Sequence, residues 1–155
     1  MNNNISVVLL GAGASRRFKS SQIKQNVIIN KVSILNHSRL FFNKYFPESN
    51  ILIVSNRKVV INKLKNNETI IYGSSSRLKS LHVALENIFQ NNLQTKYTLI
   101  HDVARPILNI DDIKKLIASM KSDIDASTLG YPLTNALKDV KNNKILNNLY
   151  KDKLW

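Results

Sequence analysis

The chain has no cysteine among its 155 residues, which excludes a disulfide scaffold, a thiolate metal site and a cysteine nucleophile. It also has no long apolar run. The four residues Val7 to Leu10 fall far short of a bilayer crossing. The opening Met1-Asn2-Asn3-Asn4 lacks the basic segment of a secretory signal, so a cytoplasmic protein without a membrane partner is the default expectation. Acidic residues are scarce, 10 against 23 Lys and Arg, and the net charge is +13. That balance favours anionic partners. The basic residues are dispersed, however, within a bias toward Lys, Asn and Ile that runs along the whole chain. No basic stripe with interleaved aromatics is present, so no nucleic acid is expected and phosphorylated small molecules are the favoured partners. His37, His82 and His101 are scattered and lack metal-ligand spacing. No Ser-His-Asp nucleophile elbow occurs either.

What is present has globular composition, 43% apolar and 21% charged, at a length suited to one domain. Apolar runs predict strands at Ile5 to Leu10, Asn50 to Ser55, Glu68 to Tyr72 and Tyr97 to His101, with a fifth at Ala126 to Tyr131. Helical spacing predicts Ser33 to Phe46, with Ile34, Phe41 and Tyr45 on one face, and Ser76 to Gln90, with Leu78, Leu81, Leu85 and Ile88 inward. A third helix is expected from Asn109 or Ile110 to Lys121, and a short one over Val59 to Lys65. Ala136 to Val140 and Ile145 to Leu149 flank a polar turn at Asn142-Asn143 and read as a β-hairpin. Strands alternating with helices imply an α/β fold, a mostly parallel sheet with helices on both faces. Ligands of such sheets bind at the carboxyl ends of the strands.

Three motifs stand at those ends. The first is Leu10-Gly11-Ala12-Gly13-Ala14-Ser15-Arg16-Arg17, followed by Lys24-Gln25. Small residues after a strand let backbone N–H groups approach phosphate oxygens, and Arg16, Arg17 and Lys24 add full positive charge. Nucleotidyl transfer needs that charge where the pentacovalent phosphorus and the departing pyrophosphate become more negative. A Walker A loop would need Gly-Lys-Ser/Thr, which is missing. A dinucleotide fingerprint would need a third glycine at Arg16 and an acidic residue near Ser55-Asn56-Arg57. Arg57 leaves a phosphorylated dinucleotide open, and a plain tight turn is the structural alternative. The second motif is His101-Asp102-Val103-Ala104-Arg105-Pro106. Its carboxylate can hold Mg²⁺ against nucleotide phosphates and its Arg can grip a second anion, or the Asp can simply cap a turn. The third is Gly73-Ser74-Ser75-Ser76-Arg77-Leu78-Lys79-Ser80, suited either to ribose or base recognition or to helix capping.

Together with Pro132 to Lys138, these motifs resemble the methylerythritol-phosphate cytidylyltransferase family, including the cytidylyltransferase half of its bifunctional form. The resemblance runs from Ile5 to Trp155. It implies a Rossmann-like nucleotidyltransferase fold with a hairpin arm at about 132–151. It also implies transfer of a cytidylyl group from CTP to the sugar-alcohol phosphate 2-C-methyl-D-erythritol 4-phosphate, with Mg²⁺ as cofactor, in non-mevalonate isoprenoid synthesis. By the same resemblance Arg17 and Lys24 stabilise the transition state, and residues 10 to 17 surround the triphosphate. Gly73, Ser74 and Ser80 contact the cytidine. Asp102 is the metal-proximal aspartate, Val103 and Arg105 lie on the acceptor side, and the arm exchanges in a homodimer to bring Ala136 and Lys151 to the acceptor.

The chain departs from that family in places. Ile23 stands where a Pro is usual before the Lys, and Ser74 where a Gly is usual. Ser and Lys replace the acidic residues usual around Arg77. Ala136 and Lys151 stand where many members have Thr and Arg, and a Lys keeps the charge without the bidentate fork. The family continues beyond the Leu-Trp pair with a Gln-Thr-Pro-type segment. The expectation is therefore a single nucleotidyltransferase domain, incomplete at its C-terminus. The alternatives are a ribitol-phosphate cytidylyltransferase, an inactive nucleotide-binding module and a dinucleotide-dependent oxidoreductase.

Overall fold

The first strand sets the architecture. All six residues of β1 (Ile5–Leu10) are buried, as expected for a central strand covered on both faces. The computed structural model describes residues 5–13, 22–91, 93 and 95–150, in two compact units, Met1–Leu108 and Asn109–Trp155.

In the first unit a turn of 3-10 helix at Lys24–Asn26 leads into a small antiparallel hairpin, β2 (Ile28–Ile29) and β3 (Val32–Ser33). Asn30 and Lys31 adopt φ of 49° and 66° at its tip, the paired left-handed conformation that a two-residue hairpin turn demands. The sequence gives only a weak cue to this hairpin, because Lys occupies a position usually held by Gly. Helix α1 (Ile34–Tyr45) follows, capped by Ser33, whose Oγ accepts from Asn36 N–H. Then come β4 (Asn50–Ser55), β5 (Glu68–Tyr72), α2 (Arg77–Gln90) capped by Ser76, and β6 (Tyr97–Asp102).

The four long strands form a parallel sheet in the order β5-β4-β1-β6. On one face Val8, Leu10, Leu52, Val54 and Ile71 pack with Ala84 and Ile88 of α2. The other face carries α1: His101, level with Leu9 across the β1–β6 ladder, meets the Phe42 ring and the Ser38 hydroxyl. Helices on both faces are thus as expected.

Four details differ from the expectation. The buried side of α1 runs through Leu35, Ser38, Arg39, Phe42 and Asn43, while Phe41 and Tyr45 stack on each other at half-buried positions. The cause is a buried polar cluster: Arg39 bonds Glu68 through Nε at 3.0 Å and Nη2 at 2.5 Å, and Asn43 bonds the same carboxylate at 2.8 Å. In α2 the inward residues are Ser80, Ala84 and Ile88, and Leu78 and Leu85 are exposed. Val59 to Lys65 is a loop, not a helix. Its backbone groups are taken by side chains: Val60 N–H donates to Asn26 Oδ1, Lys63 O accepts from Arg39, and Lys65 N–H donates to Glu68. Ala126 to Tyr131 forms no strand, and no described strand pairs with it.

The second unit contains α3 (Ile110–Ser119) and the hairpin of β7 (Leu137–Lys141) and β8 (Lys144–Leu149). Asn109 caps α3, and Asp111 and Asp112 lie in its first turn, where the helix dipole favours them. Asn142 and Asn143 take φ of 49° and 59°, so the hairpin predicted around them forms. Among the described residues, no helix is long and apolar enough to cross a membrane.

Candidate active site

Strand order places a switch at β1, which has β4 on one side and β6 on the other. Leu10, Ser55, Tyr72 and Asp102 end together, and the turns after them share one edge of the sheet.

The turn after β1 is fastened from several sides. Gly11 N–H donates to Val54 O at 2.7 Å. A Cβ on Gly11 would lie 3.3 Å from both Val54 O and the Val103 side chain. Buried Gln25 sends its Nε2 to Gly11 O at 2.7 Å and to Gly13 O at 3.0 Å. Asn56 Nδ2 donates to Ala12 O at 3.1 Å. Lys24 stands in the same 3-10 turn as Gln25, so the lysine is held beside the glycine turn. Ala14, Ser15, Arg16 and Arg17 lie outside the described residues.

The turn after β5 packs directly on the first. Gly73 N–H donates to Ser55 O at 2.8 Å. A Cβ on Gly73 would lie 2.3 Å from Ala12 Cβ and 2.9 Å from Ser80 Oγ. Glycine is required here by proximity. The buried Ser80 hydroxyl accepts from Ser74 N–H at 3.0 Å, so Ser80 supports the turn from beneath, while Ser74 is exposed. Gly73→Ala is expected to cost about 1–3 kcal/mol of stability through overpacking. A urea denaturation midpoint equal to wild type would contradict that packing.

After β6, Asp102 Oδ1 accepts from Ala104 N–H at 3.1 Å and Asp102 O from Arg105 N–H at 3.0 Å. The Arg105 side chain is exposed. Val103 is buried against Gly11, so its side chain belongs to the core. His101 is pushed down to about 4 by burial, with Arg105 adding to the effect and Asp102 opposing it. The imidazole is therefore neutral at neutral pH, and it braces the end of β6 through Ser38, 3.1 Å from its Nε2.

The three turns are legible in the sequence, but the fastening of the first of them by Gln25 and Asn56 is not. Amide residues near a glycine turn were the only signal for it. Arg57, the residue that left a phosphorylated dinucleotide open, lies over the Tyr72 ring at 5.7 Å. In the second unit Ala136 is exposed just before β7, and Lys151 lies outside the described residues. No group of three His, Cys, Asp or Glu that could hold a metal occurs among the described residues. Asp102 offers one carboxylate at this sheet edge, and Mg²⁺ typically takes one or two carboxylates and leaves its other positions to further oxygen ligands and water.

A parallel sheet with its switch at β1, and with a glycine turn and an aspartate at neighbouring strand ends, is the α/β architecture of the Rossmann-like nucleotidyltransferase fold. The model of the family "IspD: 2-C-methyl-D-erythritol 4-phosphate cytidylyltransferase" matches residues 5–155, and the chain belongs to that family. It is 28% identical to the 2-C-methyl-D-erythritol 4-phosphate cytidylyltransferase of Wigglesworthia glossinidia brevipalpis, over 97% of this chain and 66% of that protein. It is 31% identical to the bifunctional enzyme IspD/IspF of Pelagibacter ubique, over 92% of this chain and 40% of that one. The crystal structure of the Francisella tularensis 2-C-methyl-D-erythritol 4-phosphate cytidylyltransferase superposes with a TM-score of 0.76 at 25% identity, covering 98% of this chain and 68% of that one. The chain thus spans about two thirds of the length of several curated relatives it matches.

Proposed function

We propose that the protein transfers a cytidylyl group from CTP to 2-C-methyl-D-erythritol 4-phosphate in isoprenoid precursor synthesis in the cytoplasm. An oxygen of the acceptor phosphate attacks the α-phosphorus of CTP. The bond from that phosphorus to the bridging oxygen breaks, and pyrophosphate leaves. The phosphate nucleophile needs no base, so alignment and charge neutralisation supply the catalysis. The observation that carries this reading is the meeting of the Gly11–Gly13, Gly73–Ser74 and Asp102–Arg105 turns on one sheet edge in a chain of this family.

Residues 10 to 17 wrap the triphosphate in this reading. Arg17 and Lys24 offset the charge that builds on phosphorus and pyrophosphate. Gly73 and Ser74 meet the cytidine, with Ser80 beneath them. Arg105 holds the acceptor phosphate. Asp102 would hold Mg²⁺, which when bound neutralises phosphate charge. The hairpin arm pairs with a second copy in a homodimer, and its Ala136 and Lys151 serve the acceptor.

The test is pyrophosphate release by the purified chain with CTP and Mg²⁺, comparing 2-C-methyl-D-erythritol 4-phosphate with ribitol 5-phosphate. Release with the first acceptor and at least tenfold less with the second is expected. The reverse preference would assign a different alditol phosphate. CTP binding without release on either acceptor would make the chain a nucleotide-binding module.

A further inference from the structure

We propose that Asn56 and Gln25 are positioning residues that pre-set the phosphate-binding turn through its carbonyls. Three successive carbonyls, those of Gly11, Ala12 and Gly13, accept from side-chain amides at 2.7, 3.1 and 3.0 Å. In a trans peptide the C=O and the following N–H point in opposite directions. Fixing Gly11 O on Gln25 therefore turns Ala12 N–H away from Gln25. Fixing Ala12 O on Asn56 turns Gly13 N–H away from Asn56. Neither N–H meets an acceptor among the described residues. Both donors are left for an anion, in a turn that does not need to reorganise to receive it.

The amides are themselves held. Asn56 Oδ1 accepts from Lys58 N–H at 2.9 Å, which fixes which end of the side chain faces Ala12. Asn26, next to Gln25, donates to Lys58 O at 3.2 Å and accepts from Val60 N–H at 3.0 Å. The segment after β4 and the 3-10 turn are thereby clamped to each other as well as to the glycine turn. The choice of a neutral amide matters. A carboxylate in the same place would have no N–H to donate and would repel the carbonyls.

This inference deepens the proposed nucleotidyl transfer and rests on it for the ligand, CTP, but not for the order of the empty turn. Asn56→Asp and Gln25→Glu keep the shapes and replace the donor by a carboxylate oxygen. In the ligand-free chain, amide hydrogen exchange over residues 9–11, where Gly11 N–H is bonded to Val54 O, is expected to rise about fivefold to tenfold in Asn56→Asp, as for loss of one net hydrogen bond. CTP affinity is expected to fall by a similar factor, while CMP, which lacks the β- and γ-phosphates, changes less than twofold. Gln25→Glu should show the larger effect in both arms, since it loses two bonds at a buried site. If it fails to fold, Asn56→Asp alone decides. Unchanged exchange in the ligand-free variants, or equal weakening of CTP and CMP, would overturn the inference. If the wild-type chain binds no CTP, the functional reading fails instead, and the exchange comparison still decides whether these amides order the turn.

Discussion

Lys24→Ala is expected to lower the rate of CTP-dependent pyrophosphate release by about 10²–10³-fold, the magnitude typical of removing one preorganised electrostatic contact to a transition state. The 3-10 turn that carries Lys24 is closed by backbone bonds, Asn26 N–H to Ile23 O at 3.0 Å and Val27 N–H to Lys24 O at 3.1 Å. Neither bond depends on the lysine side chain, so the variant should fold. Charge on the bridging oxygen and pyrophosphate grows between ground state and transition state. The loss should therefore fall mainly on kcat, with a smaller rise in KM for CTP. Lys24→Arg should recover part of the rate, because charge returns without the point geometry of an ammonium. Wild-type turnover in Lys24→Ala would reject the role assigned to this residue.

The second large effect concerns stability. Arg39→Met is expected to cost about 3–5 kcal/mol, because it leaves the Glu68 carboxylate buried without its guanidinium. The Arg39 and Glu68 side chains are 9% and 0% exposed, so water cannot replace the lost partner. In the wild type, burial would raise the Glu68 pKa, but it is outweighed by hydrogen bonds from Arg39, Lys65 N–H and Asn43 and by the Arg39 charge, which hold it below the ordinary 4.5. A lowered folded pKa contributes stability above the unfolded value, and this is lost as pH falls through the folded one. Arg39→Met removes the guanidinium's hydrogen bonds and charge, so the Glu68 pKa rises relative to wild type and the variant's stability deficit should narrow as the pH falls. Urea denaturation of both proteins at pH 7 and pH 5 checks this. A deficit unchanged between the two pH values would mean that Glu68 is not the group left unpaired. The pair also reaches the site's surroundings, since Arg39 fixes Lys63 O in the same loop that carries Asn56.

The layout of the first unit was legible because its strands are apolar runs and its helices begin at capping residues. Val7 to Leu10 and Ile51 to Val54 are buried on both faces, a pattern few other structures allow. Ser33 and Ser76 each accept a backbone N–H in the first helical turn. What stayed hidden depends on polar residues meeting across the fold. Apolar spacing nominated Phe41 and Tyr45 for the inner side of α1, whereas Arg39 and Asn43 are inside because Glu68 meets them there. Val59 to Lys65 has helix-compatible residues, and its backbone is instead claimed by Asn26, Arg39 and Glu68. The site shows the same division. Gly11, Gly13, Gly73 and Asp102 stand out as turn and strand-end residues. The carbonyl contacts of Asn56 and Gln25 become visible only when β1 and β4 lie side by side.

We propose that the edge formed by the Gly11, Gly73 and Asp102 turns carries out cytidylyl transfer. The most direct measurement is ³¹P NMR of the wild-type chain with CTP, Mg²⁺ and 2-C-methyl-D-erythritol 4-phosphate. Paired diphosphate-diester resonances are predicted to grow in step with free pyrophosphate, one for one, and to be absent when the acceptor is omitted. A mixture in which CTP remains intact at enzyme concentrations sufficient to bind it would contradict the claim.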